Sequence, residues 1–299
     1  MKQRIITALV ATCVLIPNLI FSNTPLMILS LAAASVICVF EIARCTGLHR
    51  AYPLCIPLYV IAALFPFITR YAGDLKDLFS VTGWEDLATY AGSLDILRHY
   101  ALSVIMAAML YFFAIMTFSK GKYKVTDVAV FFMASVYILF GMNGIIVLRD
   151  YRIGGEILYI TIFIGAWITD IFAYFCGLLF GRGGKHKLIP DVSPKKTVEG
   201  SIGGIVFCVL VMWLYGLLCT KFTQHDSYLW FFAIGGLIAS VVSQIGDLLM
   251  SVIKRNYGIK DYGRIFPGHG GMLDRLDSVL AVSVALMAFS SFFEFFKGI

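Results

Sequence analysis

Long apolar runs separated by short polar connections dominate the chain. Runs of about 20 residues, enough to cross a bilayer as helix, lie near 5–22, 24–42, 52–69, 99–118, 128–148, 155–180, 201–219, 228–252 and 276–296. This pattern predicts an all-α polytopic integral membrane protein with about nine transmembrane helices. No small-residue cleavage site follows the first run, and Pro25 opens another apolar run at once, so the first run reads as a membrane helix rather than a signal peptide. Between 70 and 98 the pattern changes: Leu75, Leu78 and Phe79, then Leu87, Tyr90, Ala91 and Leu94, recur at amphipathic spacing and predict short helices lying at the membrane interface.

Composition supports the membrane class. The 299 residues are 60% hydrophobic and 14% charged, with a mean hydropathy of +0.86, more apolar sequence than a soluble core absorbs. No repeat or soluble linker divides the chain. It reads as one membrane domain, with scaffold helices over 1–150 and catalytic helices and loops over 151–299. The seven cysteines stand singly, without C-x-x-C spacing, which favours neither zinc nor a disulfide framework. Most Lys and Arg residues fall in alternate connections, around Lys2, Arg44, Lys120, Lys195 and Lys260. Short basic loops stay cytoplasmic, so the N-terminus is expected inside and the C-terminus outside. The net charge of +6 then gathers on a cytoplasmic face that attracts anionic head groups and nucleotides.

Charge is concentrated between Gly246 and Asp277. Ser240, Ser243, Asp247, Ser251 and Lys254 recur every three or four residues and form one polar helix stripe, expected to line a water-accessible cavity. A basic loop with Arg255, Lys260, Arg264 and His269 follows, and Asp274, Arg275 and Asp277 open the next apolar run. Carboxylates suit Mg²⁺, and Lys or Arg neutralise phosphate charge. Asp247 and Asp274 are therefore the expected metal ligands. Either Asp274 or Asp277 alone is also explained as a first-turn carboxylate. Upstream, Asp170 sits inside an apolar run, where a charge costs roughly 2.5–3.5 kcal/mol and normally meets a partner or a polar cavity. The stretch 181–200, rich in Gly, Pro and base, has no Walker spacing. There Ser193 or Thr197 is expected to cap the next helix, Glu199 to pair with Lys195, and Lys196 to remain available. Gly200 and Gly204 suit close helix packing.

The residues Ser251, Lys254-Arg255, Lys260-Asp261, His269-Gly270-Gly271, Asp274-Arg275 and Asp277 resemble, at the family's spacing, the signature of the phosphatidate cytidylyltransferases, also called CDP-diacylglycerol synthases. A second similar block runs from Asp170 to Gly204. The resemblance implies a Mg²⁺-dependent enzyme, with room for a second cation, that uses CTP and phosphatidate in the inner (plasma) membrane of a bacterial cell with a cytoplasmic active site. It also implies catalytic roles for Asp247, Asp274, Lys195 and Lys196. Substrate contacts fall to Ser251, Lys254, Arg255, Lys260, Arg264, His269, Arg275, Asp170 and Asp277. Membrane lipid is the expected partner, nucleic acid is not, and a homodimer is left open. Two rival readings use the same residues: a CTP-dependent polyprenol or dolichol kinase, and a cation- or proton-coupled transporter.

Overall fold

The computed structural model describes residues 2–81, 94–151, 154–181, 186–223 and 229–297. Among them nine helices and one small sheet form: α1 Lys2–Ile20, α2 Pro25–Cys45, α3 Tyr52–Val81, α4 Leu94–Phe118, α5 Val125–Arg149, α6 Gly155–Phe180, β1 Lys187–Ile189, β2 Ser193–Thr197, α7 Val198–Thr223, α8 Leu229–Asn256 and α9 Leu273–Lys297. The protein is thus an all-α polytopic membrane protein. Among the described residues seven helices are long and apolar enough to cross a membrane. The expected first and fourth spans fall on α1 and α4, which contain the apolar stretches Ala11–Ile20 and Ser103–Phe118. Asp95, Arg98 and His99 make the start of α4 polar.

The chain divides into two compact units, Ala8–Ile146 and Met1–Thr7 with Val147–Ile299. In the first, α2 packs on α3. The Tyr111 hydroxyl donates to Pro53 O at 2.8 Å and ties α4 to α3, while Phe112 meets Phe131 of α5 at 6.3 Å between ring centroids. Helix α3 kinks at Tyr71 (φ −103°, ψ 15°) and remains helical to Val81. Residues 82–93 of the expected interfacial segment lie outside the described residues.

In the second unit α6, α7, α8 and α9 pack against one another. Apolar side chains gain little by leaving lipid for protein, so such helices associate through close van der Waals contact between small residues. Gly200 fits that rule: a Cβ there would lie 2.5 Å from Ala173 O and 3.2 Å from Gly177 Cα of α6. At Gly204 a Cβ would lie 2.9 Å from Thr169 O, so both glycines serve the expected packing. Polar contacts add direction. Ser201 Oγ of α7 donates to Gln244 Oε1 of α8, and Gln244 Nε2 donates back to Ser201 O at 3.3 Å.

The Gly/Pro-rich stretch was expected to be an open loop, yet it contains an antiparallel hairpin. Ile189-Pro190-Asp191-Val192 makes its turn, with Val192 N–H donating to Ile189 O at 3.3 Å; proline at the second turn position presets the required φ. β2 runs directly into α7. Thr197 Oγ1 accepts the Gly200 N–H at 3.1 Å and caps the helix. Residues 182–185 of the preceding basic loop, with Arg182 and Lys185, lie outside the described residues.

Candidate active site

The hairpin delivers its two adjacent lysines to different surroundings. Lys195 is exposed. Lys196 turns toward α8, where its Nζ lies 2.7 Å from Asp247 Oδ2; the contact lacks hydrogen-bond alignment, so the buried ammonium retains donors to offer. Glu199 pairs with His186 rather than with Lys195, at 2.6 Å, because the hairpin returns His186 beside the start of α7.

Asp247 is partly exposed, with 28% of its side-chain surface accessible. Asp170 of α6 and Asp277 of α9 lie near enough for all three carboxylates to act on one another electrostatically. Asp170 accepts from the Ser278 hydroxyl at 3.5 Å, which links α6 to α9, and Asp277 Oδ1 accepts the Ser278 N–H at 2.9 Å. Three helices and the hairpin thus bring Asp170, Lys196, Asp247 and Asp277 together. In the serine stripe above them, Ser240 and Ser243 are fully buried, and their hydroxyls make no hydrogen bond among the described residues. Ser251 is also buried.

Asp274 occupies a different position from the one expected of a second metal ligand. Its Oδ1 accepts Lys254 Nζ at 2.8 Å. Its Oδ2 accepts two backbone donors, Tyr262 N–H at 2.7 Å and Gly271 N–H at 2.9 Å. A carboxylate offers about four acceptor positions, and three are filled here by donors that carry or share positive charge. Asp274 therefore fastens the 257–272 loop to the ends of α8 and α9. Gly270 makes this possible. Its φ is +88°, and a Cβ there would lie 2.8 Å from Asp274 Oδ2. Tyr262, not singled out from the sequence, completes the fastening: its hydroxyl donates to Met250 O at 2.9 Å, and Lys254 Nζ lies 5.3 Å from its ring centroid. Lys254 is buried in this cluster and so departs from the phosphate contact expected of it.

Arg255, unlike Lys254, is exposed. Its guanidinium donates to Val192 O at the hairpin turn and to Ile259 O, each at 3.4 Å. Lys260, Arg264, His269 and Arg275, by contrast, share one cavity of about 690 Å³. Arg275 is exposed, and its charge also reaches Asp170, so it connects the cavity with the carboxylate cluster.

A profile of the Cytidylyltransferase family matches residues 2–293. The chain belongs to the cytidylyltransferase family. Curated relatives agree along nearly the full length. The phosphatidate cytidylyltransferase of Staphylococcus saprophyticus is 33% identical over 282 residues, covering 94% of this chain and 96% of its own. Those of Staphylococcus haemolyticus and Staphylococcus epidermidis are each 30% identical over 284 residues, with the same coverage. As a cytidylyltransferase the chain is an enzyme. Its carboxylates and cations are therefore read as parts of a transferase site rather than of a transport path.

Hard oxygen donors suit Mg²⁺, which usually takes one or two protein carboxylates and completes its shell with water and substrate phosphate. Among the described residues no three His, Cys, Asp or Glu side chains are arranged to enclose a metal by themselves. The partly exposed Asp247, near Asp277, has the chemistry of such a shared site. Asp274, with three of its acceptor positions already taken, has less to offer a metal.

Proposed function

We propose that this cytidylyltransferase moves the cytidylyl group of CTP onto phosphatidate and releases pyrophosphate, in the plasma membrane of a bacterial cell with the site facing the cytoplasm. The observation that carries the reading is the meeting of Asp170 of α6, Asp247 of α8 and Asp277 near the start of α9 with Lys196 of the hairpin. A lipid phosphate held at the bilayer surface and a water-borne nucleotide can reach such a place from opposite sides. The names of the relatives supply the substrate class.

The acceptor needs no general base, since a lipid phosphate is already an anion. What the protein must supply is position and positive charge. Lys196 directs its ammonium at the carboxylate cluster, and Lys195, exposed on the same strand, offers a second cation on the approach. Asp247 with Asp277 would hold Mg²⁺, which supplies neutralisation of phosphate charge when bound. Asp170, steadied by Ser278, adds acceptor capacity beside them.

The test supplies purified protein with Mg²⁺, phosphatidate and CTP labelled at the α- or γ-phosphate. The α label is expected in a CDP-lipid and the γ label in pyrophosphate. Lipid carrying the γ label would identify a CTP-dependent lipid kinase and refute the proposal.

A further inference from the structure

The cavity beside the carboxylate cluster has its own chemistry. Lys260, Arg264 and Arg275 stand on its wall with Asp261 as the acidic member. Among the described residues none of the three cations makes an ion pair, unlike Lys196 and Lys254 nearby. His269 shares the wall, and its Nδ1 is buried without a hydrogen-bond partner. Like charges crowded around one space repel unless an anion sits among them, and guanidinium groups match phosphate oxygens two at a time. A volume of about 690 Å³ exceeds the need of a single phosphate. The wall therefore suits an anion with several charges along a chain.

Position narrows the choice. Arg275 lines the cavity and stands two residues before Asp277 in the first turns of α9, so the cavity lies beside the place where transfer is proposed. We infer that this is the leaving-group pocket: it receives the β- and γ-phosphates of the nucleotide and retains pyrophosphate after transfer. The inference rests on the reaction proposed above. In that step a lipid phosphate oxygen forms a bond to the α-phosphorus, and the bond from the α-phosphorus to the oxygen bridging it to the β-phosphorus breaks. That oxygen keeps the electron pair and leaves on pyrophosphate, with no net proton transfer. The new negative charge thus appears on the fragment facing Arg264, Lys260 and Arg275, and stabilisation where charge develops favours the transition state over the ground state.

The experiment titrates pyrophosphate at fixed Mg²⁺ into the detergent-solubilised chain, with inorganic phosphate and a short-chain phosphatidate as parallel titrants. Wild type is compared with Arg264→Gln and Lys260→Gln, both at exposed positions. Each variant is expected to weaken pyrophosphate binding about tenfold, as loss of a charge-assisted contact does. KM for CTP rises in proportion, KM for phosphatidate stays unchanged, and Arg264→Lys recovers part of the loss. Unchanged pyrophosphate affinity in both glutamine variants overturns the inference. So does a loss confined to the short-chain phosphatidate with KM for CTP unaltered, which would make the cavity a lipid-phosphate site. A wild type that forms no CDP-lipid from α-labelled CTP refutes the reaction instead, and the pyrophosphate titration then judges the pocket by itself.

Discussion

Two aspartates in the charged stretch from Gly246 to Asp277 face opposite fates on substitution. Asp247 is partly exposed and lies against the imperfectly aligned Lys196, whereas Asp274 is buried and accepts Lys254, Tyr262 N–H and Gly271 N–H. Asp247→Asn should abolish turnover by orders of magnitude and leave the melting temperature in detergent close to wild type. Asp274→Ala leaves a buried ammonium and two backbone donors without their acceptor, and removing one partner of a buried pair costs roughly 3–5 kcal/mol. Its melting temperature should fall sharply, and Lys254→Met/Asp274→Leu should recover much of the loss; equal melting temperatures for Asp247→Asn and Asp274→Ala would remove the distinction. Nothing in the sequence separates these roles. Both residues are acidic, both stand near helix ends, and the donors that claim Asp274 include backbone amides, which carry no residue identity to read.

At the scale of elements, hydropathy located the helices because an apolar run of that length has few other uses, and the small residues at Gly200 and Gly204 announced a close crossing. Gly200→Val should separate α6 from α7, since even a Cβ meets Ala173 O at 2.5 Å. Lower thermal stability together with lost activity is the expected result, and a wild-type melt would contradict the packing described. The hairpin was illegible for a physical reason. Its strands span three and five residues, too short for alternation to show, and the Gly, Pro and Lys around them signal a loop. Pairing across the Pro190 turn and the hold of Arg255 on Val192 O come from tertiary context.

For the whole molecule, the alternation of basic connections makes a claim about sidedness. In a chain freed of native cysteines, a cysteine at Lys260 should react with an impermeant reagent only from the cytoplasmic side, and one at Trp84 only from the other side. Labelling of both from one side would require a different number of crossings between them.

β2 passes into α7 without an intervening loop, and Thr197 closes the joint. Lys196 therefore rides on the end of a 26-residue rod whose length is set at about 1.5 Å per residue. If that rod spans the bilayer, the depth of the ammonium relative to the lipid phosphates is a property of the membrane as much as of the protein. A bilayer too thin or too thick tilts the rod or draws its charged end off the head-group plane. Hydrophobic mismatch would then be felt at the ion pair between Lys196 and Asp247, making acyl-chain length in the surrounding lipid a parameter of the reaction.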